Sequence, residues 1–311
     1  MTHSIVISEF MDEAAVETLR AAHPTLYDPS LAEAPERLAA ALAGARALIV
    51  RNRTRVDGAL LAHGPELAVV GRLGVGLDNI DLAACRARRV EVIPATGANA
   101  DSVAEYVILA TGLLLRGTFG ATAEVAAGAW PRERLAQGRE MAGKTIGIVG
   151  FGDIGRRVAK LARAFGMAPI AHDPVLPTDH SGWTETPVER VELEALFARA
   201  DAVTLHVPLT PATEGLVSAA RLARMKPGAV LVNTSRGGVV DEAALAASLR
   251  EGRLGGAALD VFETEPLPAG TPLAGVPNLL LTPHIAGLTV ESNTRVSTLI
   301  AERVLMALAM A

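Results

Sequence analysis

Three glycines and one aspartate in the middle of the chain have the types and the spacing of a phosphate- and ribose-binding turn. The stretch Lys144–Gly155 reads KTIGIVGFGDIG and contains Gly150, Gly152 and Gly155 between an apolar run and a helix-like run. In such a turn the first glycine makes a tight bend, the second lets backbone approach a pyrophosphate, and the third lets helix and strand pack closely. Asp173 ends the next apolar run, about 20 residues on, where an acid binds the ribose hydroxyls. The pattern predicts a dinucleotide site that favours NAD over NADP, because a carboxylate repels a 2′-phosphate. The alternative is a glycine-rich turn without a ligand.

Three side chains that could carry out proton transfer and bind an anion follow three successive predicted strands. They are Arg236, Glu265 and His284. A histidine can exchange a proton near neutral pH, and an arginine can bind a carboxylate through two parallel hydrogen bonds. A carboxylate beside the imidazole would stabilise its protonated form. Because ligands bind at the carboxyl ends of parallel strands, we expect these side chains to share one edge of a sheet. Taken singly, each could instead be structural or solvated.

Two loops in the first hundred residues also follow predicted strands. The first contains Arg51 and Arg53, whose guanidinium groups suit an anionic substrate, although a solvated surface pair is an equal alternative. The second runs from Gly71 to Asp78, where closely spaced glycines expose backbone N–H groups that could bind a carboxylate. A plain turn is the alternative for this loop. Its candidate substrate-binding residues are Leu73, Gly74, Val75 and Gly76.

Short apolar runs alternate with amphipathic runs along the whole chain, which predicts parallel sheets with helices on both faces. The strands predicted in the first hundred residues are Ile5–Ile7, Thr25–Tyr27, Ala47–Val50, Leu67–Val70 and Val90–Ile93. Six more are predicted after Lys144: Thr145–Val149, Pro169–His172, Ala202–Val207, Ala229–Asn233, Ala257–Val261 and Leu279–Leu281. The sequence therefore predicts two doubly wound α/β domains.

The segments between and after these strands complete the prediction. Asp101–Leu115 is a long apolar helix that must bury most of its surface. We expect irregular structure from Gly117 to Gly143, a surface loop over Pro174–Val188 and a closing helix over Thr289–Met310. The predicted domains are residues 1–97 with 288–311, for the substrate, and residues 98–287, for the dinucleotide.

Composition excludes several classes of protein. The chain has 311 residues, a net charge of −5 and no run of Lys or Arg, which argues against a nucleic-acid surface. One cysteine, Cys85, cannot form an internal disulfide or a multi-thiolate metal site, so we expect a buried thiol, a reducing cytoplasmic compartment and no metal. The start lacks a basic region followed by an apolar stretch, and no apolar run is long enough to span a membrane.

The motifs in order resemble those of the D-isomer-specific 2-hydroxy acid dehydrogenases. The glycine-rich turn with Asp173 is followed by VNTSRGGVVDEAAL (232–245), ALDVFETEP (258–266) and TPHIAG (282–287). GRLGVGLDNIDL (71–82) and the helix around SVAEY (102–106) are also similar to that family. The resemblance covers nearly the whole chain. It implies a Rossmann NAD-binding domain inserted into a flavodoxin-like substrate domain.

The resemblance also implies roles for individual residues. Arg236 would bind the substrate carboxylate together with the backbone of Leu73–Gly76, His284 would be the acid/base, and Glu265 would pair with His284. Asp260 would lie near the nicotinamide. The positions that match cofactor contacts are Gly150, Gly152, Asp153, Ile154, Gly155, Asp173, Val207, Thr234, Ser235, Arg236, Asp260, His284 and Gly287. Family members are usually homodimers formed around the helix that matches Asp101–Leu115.

Substrate choice depends on Arg51 and Arg53, which favour a small 2-hydroxy or 2-oxo acid with a second anionic group. The stretch ISEFMDEAAV (7–16), with LIVRNRT (48–54), resembles the members of the family that oxidise (S)-3-sulfolactate to 3-sulfopyruvate. The alternatives are 3-phosphoglycerate and the glycerate/hydroxypyruvate pair. A relative with different chemistry, such as a formate or phosphonate dehydrogenase, and a non-catalytic NAD-sensing corepressor are more distant, the latter because Arg236, Glu265 and His284 are all present.

Overall fold

The apolar runs of the sequence form two separate parallel sheets in the structure, which is a computed structural model describing residues 3–117 and 121–310. The chain divides into two compact units. The first comprises Met1–Asn99 and Leu288–Ala311, and the second comprises Ala100–Gly287. The first unit is therefore assembled from both ends of the chain.

The first unit contains a five-stranded parallel sheet in the order β2-β1-β3-β4-β5. Its strands are β1 (Ile5–Ile7), β2 (Thr25–Tyr27), β3 (Ala47–Val50), β4 (Val69–Arg72) and β5 (Glu91–Pro94). Its α-helices are α1 (Glu13–Ala22), α2 (Pro35–Ala41), α3 (Gly58–Ala62), α4 (Leu82–Ala87) and, from the end of the chain, the long helix Val290–Met310. Aspartates begin three of the short helices, since the carboxylates of Asp12, Asp57 and Asp81 accept from backbone N–H groups of the first turn.

Both faces of this sheet are covered, as a parallel sheet requires. Helix α1 and Val290–Met310 pack on one face through residues such as Leu19 and Ile300. Helices α2, α3 and α4 pack on the other, where Cys85 is buried as expected. The alternation of side chains along β3 sends Ile49 to the first face and Leu48 to the second.

The second unit contains a seven-stranded parallel sheet in the order β12-β11-β10-β9-β6-β7-β8. Its strands are β6 (Thr145–Val149), β7 (Ala168–His172), β8 (Glu189–Arg190), β9 (Ala202–Leu205), β10 (Val230–Asn233), β11 (Gly256–Leu259) and β12 (Leu279–Leu281). Its helices are α5 (Ala100–Arg116), α6 (Ala121–Ala126), α7 (Arg132–Leu135), α8 (Asp153–Ala164), α9 (Gly182–Glu185), α10 (Leu193–Arg199), α11 (Ala219–Arg224) and α12 (Glu242–Arg250). The closing helix of the chain, Val290–Met310, is then α13.

The second sheet is also buried on both faces. Helices α5 and α8 pack on one face, against residues such as Ile148 and Val232. Helices α10, α11 and α12 pack on the other, against Val203 and Leu231. Adjacent residues of β10 therefore point into different cores, which explains why the strand is apolar along its whole length.

The structure corrects several predictions about elements. The segment predicted to be irregular contains α6 and α7, although residues 118–120 lie outside the described part. The Pro174–Val188 loop contains α9, and the short, exposed edge strand β8 follows it, so the sheet has seven strands rather than six. Short polar elements lack the apolar periodicity from which the others were predicted. The strand expected over Leu67–Val70 is shifted to Val69–Arg72, and that expected over Ala202–Val207 ends at Leu205. The strands expected over Val90–Ile93 and Ala257–Val261 are found at Glu91–Pro94 and Gly256–Leu259.

Candidate active site

In the glycine-rich turn between β6 and α8, the packing of the fold requires two of the three glycines, Gly150 and Gly155. The third, Gly152, is not required by packing. A Cβ added at Gly150, where φ is +90°, would lie 2.3 Å from the carbonyl oxygen of His206. A Cβ at Gly155 would lie 2.3 Å from the carbonyl oxygen of Gly150. At Gly152, by contrast, a Cβ would meet nothing within 4 Å, and φ is −70°, which any residue adopts. The space above Gly152 is therefore available to a ligand, at the N-terminus of a 12-residue helix.

Asp173 lies beside this turn. Its Oδ2 accepts a hydrogen bond of 2.8 Å from the backbone N–H of Phe151, and its Oδ1 accepts from the N–H groups of Val175 and Leu176. The carboxylate thus joins the end of β7 to the glycine-rich turn and orients toward the same edge of the sheet. A carboxylate oxygen can accept more than one hydrogen bond, so Oδ2 retains capacity for a ribose hydroxyl.

A stacked aromatic pair that the sequence did not suggest supports the turn. The ring of Phe151 is fully buried and stacks on Trp183 of α9 with ring centroids 4.6 Å apart. The guanidinium carbon of Arg190 lies 5.4 Å from the centroid of the Trp183 ring. The segment 174–188 therefore contacts the glycine-rich turn through Phe151, the residue between Gly150 and Gly152.

His284 and Glu265 are in direct contact. The Nδ1 atom of His284 lies 2.8 Å from Glu265 Oε2, and the two side chains are 45% and 37% exposed. Glu265 Oε1 accepts from the backbone N–H of Phe262, which fixes the carboxylate at the end of β11. His284 has a φ of +56°, a conformation that few non-glycine residues adopt and that often marks a functional residue.

Asp260 organises the segment that carries His284. Its buried carboxylate accepts from Thr282 Oγ1 at 2.6 Å, from Ile285 N–H at 2.8 Å and from Ala286 N–H at 2.7 Å. The residues before and after His284 are thus bound to one carboxylate at the end of β11. The Thr282 hydroxyl also lies 2.6 Å from the hydroxyl of Tyr106 on α5. Because the hydrogen of Thr282 goes to Asp260, Tyr106 must donate to Thr282.

Arg236 lies in the loop after β10, which is held by the side chain of Asn233. The Asn233 amide donates to the carbonyl of Arg236 and accepts from the N–H and hydroxyl of Ser235. Gly237 brings this loop against the next one, since a Cβ there would lie 1.7 Å from the carbonyl oxygen of Phe262. The loops that carry Arg236 and Glu265 are therefore in contact, and this contact requires a glycine at position 237, which the sequence motifs alone did not indicate.

The remaining predicted cofactor residues lie along the same edge of the second sheet. Thr234 Oγ1 is buried and has no hydrogen-bond partner among the described residues, which is costly unless a ligand supplies one. Val207 follows β9, and its Cγ1 would lie 3.1 Å from a Cβ at Gly150. Ile154 and Asp153 begin α8, where Asp153 lies 3.7 Å from Arg156. Gly287 is the last residue of the unit.

A bound dinucleotide would occupy the open space at Gly152 and could supply the missing hydrogen-bond partner of the Thr234 hydroxyl. Pyrophosphate fits the glycine turn, and the ribose hydroxyls fit Asp173. The residues present are consistent with NAD as the cofactor. No group of three or more His, Cys, Asp or Glu side chains suited to a metal ion occurs in residues 3–117 and 121–310. In the same residues no helix has the length and the apolar character needed to cross a membrane.

In the first unit the two predicted arginines have different surroundings. The Arg51 guanidinium is partly buried, lies 5.8 Å from the centre of the Phe10 ring and donates to Asn293 Oδ1 at 2.6 Å. Burial lowers the pKa of Arg51, and the nearby Glu9 carboxylate raises it in part. Arg53 is exposed, and its guanidinium contacts the carboxylate of Glu33.

In the loop after β4, two backbone N–H groups donate hydrogen bonds within the fold, and the next two N–H groups do not do so in the described part of the chain. The N–H of Leu73 donates to the carbonyl of Val50, and that of Gly74 donates to the carbonyl of Arg72. Within the described residues the N–H groups of Val75 and Gly76 donate to no protein acceptor. Gly74 has a φ of +157°, and a Cβ there would overlap the Arg72 guanidinium. If this loop binds a carboxylate through N–H groups, Val75 and Gly76 supply them.

Known proteins of one family are similar in sequence to this chain. Residues 109–286 match the family model described as the NAD binding domain of D-isomer specific 2-hydroxyacid dehydrogenases. The chain is 54% identical over 305 residues to an (S)-sulfolactate dehydrogenase of Chromohalobacter salexigens, covering 98% of both chains. It is 41% identical to a hydroxypyruvate reductase of Thermotoga maritima, covering 83% of both.

A solved structure has the same fold. A D-lactate dehydrogenase of Aquifex aeolicus, crystallised with NAD and lactic acid, superposes with a TM-score of 0.84 and 27% identity, covering 98% of this chain and 95% of that one. The predicted fold class, two parallel-sheet α/β domains, is thereby confirmed. So are the reaction class and the NAD cofactor. The chain belongs to the D-isomer specific 2-hydroxyacid dehydrogenase family and is an NAD-dependent oxidoreductase of that family.

Proposed function

We propose that this enzyme interconverts (S)-3-sulfolactate and 3-sulfopyruvate, with His284 as the acid/base, Glu265 as its partner and Arg236 as the carboxylate ligand. The contact of 2.8 Å between His284 Nδ1 and Glu265 Oε2 is the observation that supports this set of roles best. The substrate is supported by the 54% identity to a sulfolactate dehydrogenase over nearly the whole of both chains.

The chain's own residues would act as follows. Arg236, with the amides of Val75 and Gly76, binds the carboxylate of the acid and so orients its C2 atom. His284 accepts the hydroxyl proton at Nε2, and Glu265 keeps the ring oriented and stabilises the imidazolium that results. A bound NAD would supply the acceptor for the hydride that leaves C2. Asp260 accepts from the Thr282 hydroxyl before His284 and from the Ile285 N–H after it, which limits movement of the ring during proton transfer.

The second anion of the substrate is assigned to Arg51. Its guanidinium is partly buried against Phe10 and Asn293, which orders it, and it stays charged because arginine remains protonated at all ordinary pH values. Arg53 remains a predicted substrate ligand. Its exposed pair with Glu33 favours a place at the rim, where an ion pair contributes little to stability.

An assay of NADH formation over a panel of acids tests this proposal. The panel contains sulfolactate, 3-phosphoglycerate, glycerate, lactate and malate. We expect the largest kcat/KM for sulfolactate, and a rise in its KM of about tenfold or more in an Arg51→Ala variant, since a charged hydrogen bond contributes roughly 1.5–3 kcal/mol. An unchanged KM for sulfolactate in Arg51→Ala would contradict the assignment of Arg51.

The glycerate/hydroxypyruvate pair is the second candidate, favoured by the identity of 41% to a hydroxypyruvate reductase over 83% of both chains. That substrate has a hydroxyl where sulfolactate has a sulfonate, so it would not need a cation at Arg51. The same panel separates the two, because a glycerate enzyme would prefer glycerate and would be insensitive to Arg51→Ala. An enzyme that prefers 3-phosphoglycerate would still be sensitive to Arg51→Ala, because that acid also has a second anionic group.

We also propose that the enzyme is a cytoplasmic homodimer formed around the helix Ala100–Arg116. Leu109 lies in the middle of this helix and is 69% exposed, which is unusual for a large apolar side chain in an otherwise apolar helix. Light scattering after size-exclusion chromatography tests the dimer. A dimeric wild type and a monomeric Leu109→Arg variant are expected, whereas a monomeric wild type would contradict the proposal. Cell fractionation tests the compartment.

A further inference from the structure

One carboxylate in the first unit accepts hydrogen bonds from four consecutive backbone N–H groups. It belongs to Glu9, which follows β1 and is 4% exposed. Its Oε1 accepts from Arg51 N–H at 2.8 Å and from Thr54 N–H at 2.9 Å. Its Oε2 accepts from Asn52 N–H at 3.2 Å and from Arg53 N–H at 3.0 Å. Every amide of the loop Arg51–Thr54 is therefore bound to a single side chain.

The charge on Glu9 is favoured by these bonds. Burial raises the pKa of Glu9, but the hydrogen bonds from Thr54, Arg51 and Arg53 outweigh it, so the pKa lies below its ordinary value. The buried group is thus a carboxylate at neutral pH. A buried charge is costly unless its hydrogen bonds are complete, and here four N–H groups supply them. Glutamine could not replace it, because the amide nitrogen would face two N–H donors.

Phe10, the residue after Glu9, contacts the side chain of Arg51 in the same loop. Phe10 lies against the Arg51 guanidinium, with 5.8 Å from Arg51 Cζ to the ring centre. Asn293 Oδ1 accepts from Arg51 Nη2 at 2.6 Å. Glu9 therefore fixes the backbone of Arg51, while Phe10 and Asn293 fix its guanidinium. A loop held only for stability would not need its arginine oriented at both ends.

We propose that Glu9 is a positioning residue for substrate specificity, which holds the Arg51–Thr54 loop so that Arg51 meets the second anionic group of the acid. This inference rests on the proposed function. It assigns to Glu9 the preference for acids with two negative groups over acids with one. Glu9 has no part in proton transfer or in NAD binding.

Kinetics of a Glu9→Gln variant with sulfolactate and with lactate test this role. We expect kcat/KM for sulfolactate to fall by about tenfold or more, mainly through KM, because the loop loses two of its four hydrogen bonds. The kcat/KM for lactate should change by less than about threefold, and NAD affinity should not change. Asp81→Asn is the matched control, since it removes a helix-capping carboxylate from the same unit and should leave the sulfolactate-to-lactate ratio unchanged.

Hydrogen exchange supplies a readout that needs no substrate. In Glu9→Gln the amides of Arg51–Thr54 should exchange at least about tenfold faster than in the wild type, and in Asp81→Asn they should not. If Glu9→Gln does not fold, Glu9→Asp is used, where a shorter carboxylate should give an intermediate loss of preference. An unchanged preference for sulfolactate in the Glu9 variant, or an equal loss in Asp81→Asn, would overturn the inference. Failure of the proposed function is distinguishable, because it would appear in the wild type as no preference for sulfolactate.

Discussion

The imidazole of His284 is paired through Nδ1 with Glu265 Oε2, at 2.8 Å, which leaves Nε2 as the nitrogen that can exchange a proton with a substrate. The pair joins two strand ends, because Glu265 follows β11 and His284 follows β12. A carboxylate in this position selects one tautomer of the ring and stabilises its cation. In enzymes where histidine is the general base, a carboxylate bound to Nδ1 has the same two effects.

Replacing the carboxylate tests the pair. Glu265→Gln keeps the shape of the side chain but removes its charge, so the imidazolium loses its stabilising partner. We expect kcat for oxidation of the acid to fall by roughly 10- to 100-fold, with NADH affinity unchanged. Steady-state kinetics and NADH titration measure the two quantities. Glu263→Gln, an exposed neighbour, is the control and should retain full activity. Full activity in Glu265→Gln would mean that the contact is only structural.

The three glycines of the cofactor turn should differ in what they contribute. Gly152→Ala should leave the melting temperature within about 2 °C of the wild type, because a Cβ meets nothing within 4 Å and φ is ordinary. NAD affinity should fall by about tenfold or more, since the methyl group fills the space of the pyrophosphate. Thermal unfolding and NAD titration measure both effects.

Gly155→Ala serves as the contrasting variant. Its Cβ would lie 2.3 Å from the carbonyl oxygen of Gly150, so the substitution should destabilise the unit by about 2 kcal/mol or more. Equal losses of stability in the two variants would show that the fold also requires Gly152. Unchanged NAD affinity in Gly152→Ala would show that the open space does not receive the cofactor.

Tyr106 should affect the active segment through Thr282. Burial raises the pKa of Tyr106 and so keeps the hydroxyl protonated, as a donor to Thr282 must be. Tyr106→Phe removes one donor from the chain of bonds that ends at Asp260, and we expect a loss of about 1 kcal/mol in the free energy of unfolding. Denaturant titration measures it. An unchanged free energy would show that the bond contributes nothing net.

The stability that Glu9 provides should depend on pH. Its folded pKa lies below the ordinary value of 4.5, so its contribution is fully present above that value and is lost as the pH falls through the folded pKa. We expect wild type to exceed Glu9→Gln by about 2–4 kcal/mol at neutral pH, with the difference shrinking below pH 4.5. Urea titrations over a pH series measure the difference. A difference that grows on acidification would contradict the charged state of Glu9.

Much of the fold could be predicted because apolar runs determine buried strands. The strand β3 and the run Thr145–Val149 were predicted with their observed bounds, since both faces of a parallel sheet are buried. The edge strand Glu189–Arg190 and the helix Arg132–Leu135 could not be predicted, because neither contains an apolar periodicity.

The site was predictable where a residue's chemistry is visible in its type, as for His284 and Arg236. It was not predictable where a role depends on a distant contact. Glu9 lies 42 positions before Arg51, and a single glutamate after a short strand carries no pattern that indicates a loop anchor. The stacking of Trp183 on Phe151 likewise could not be predicted, because the two residues are 32 positions apart and meet only in the folded unit. Gly237 is a requirement of two loops in contact, which only the structure reveals.

The most direct test of the account is the activity of His284→Ala with saturating NAD and the preferred acid of the wild type. We predict that turnover falls by roughly 10²–10⁴-fold while NADH still binds with wild-type affinity, because the proton acceptor is lost and the glycine turn is intact. Turnover at the wild-type rate in this variant would contradict the assignment of His284, and with it the roles given to Glu265 and Asp260.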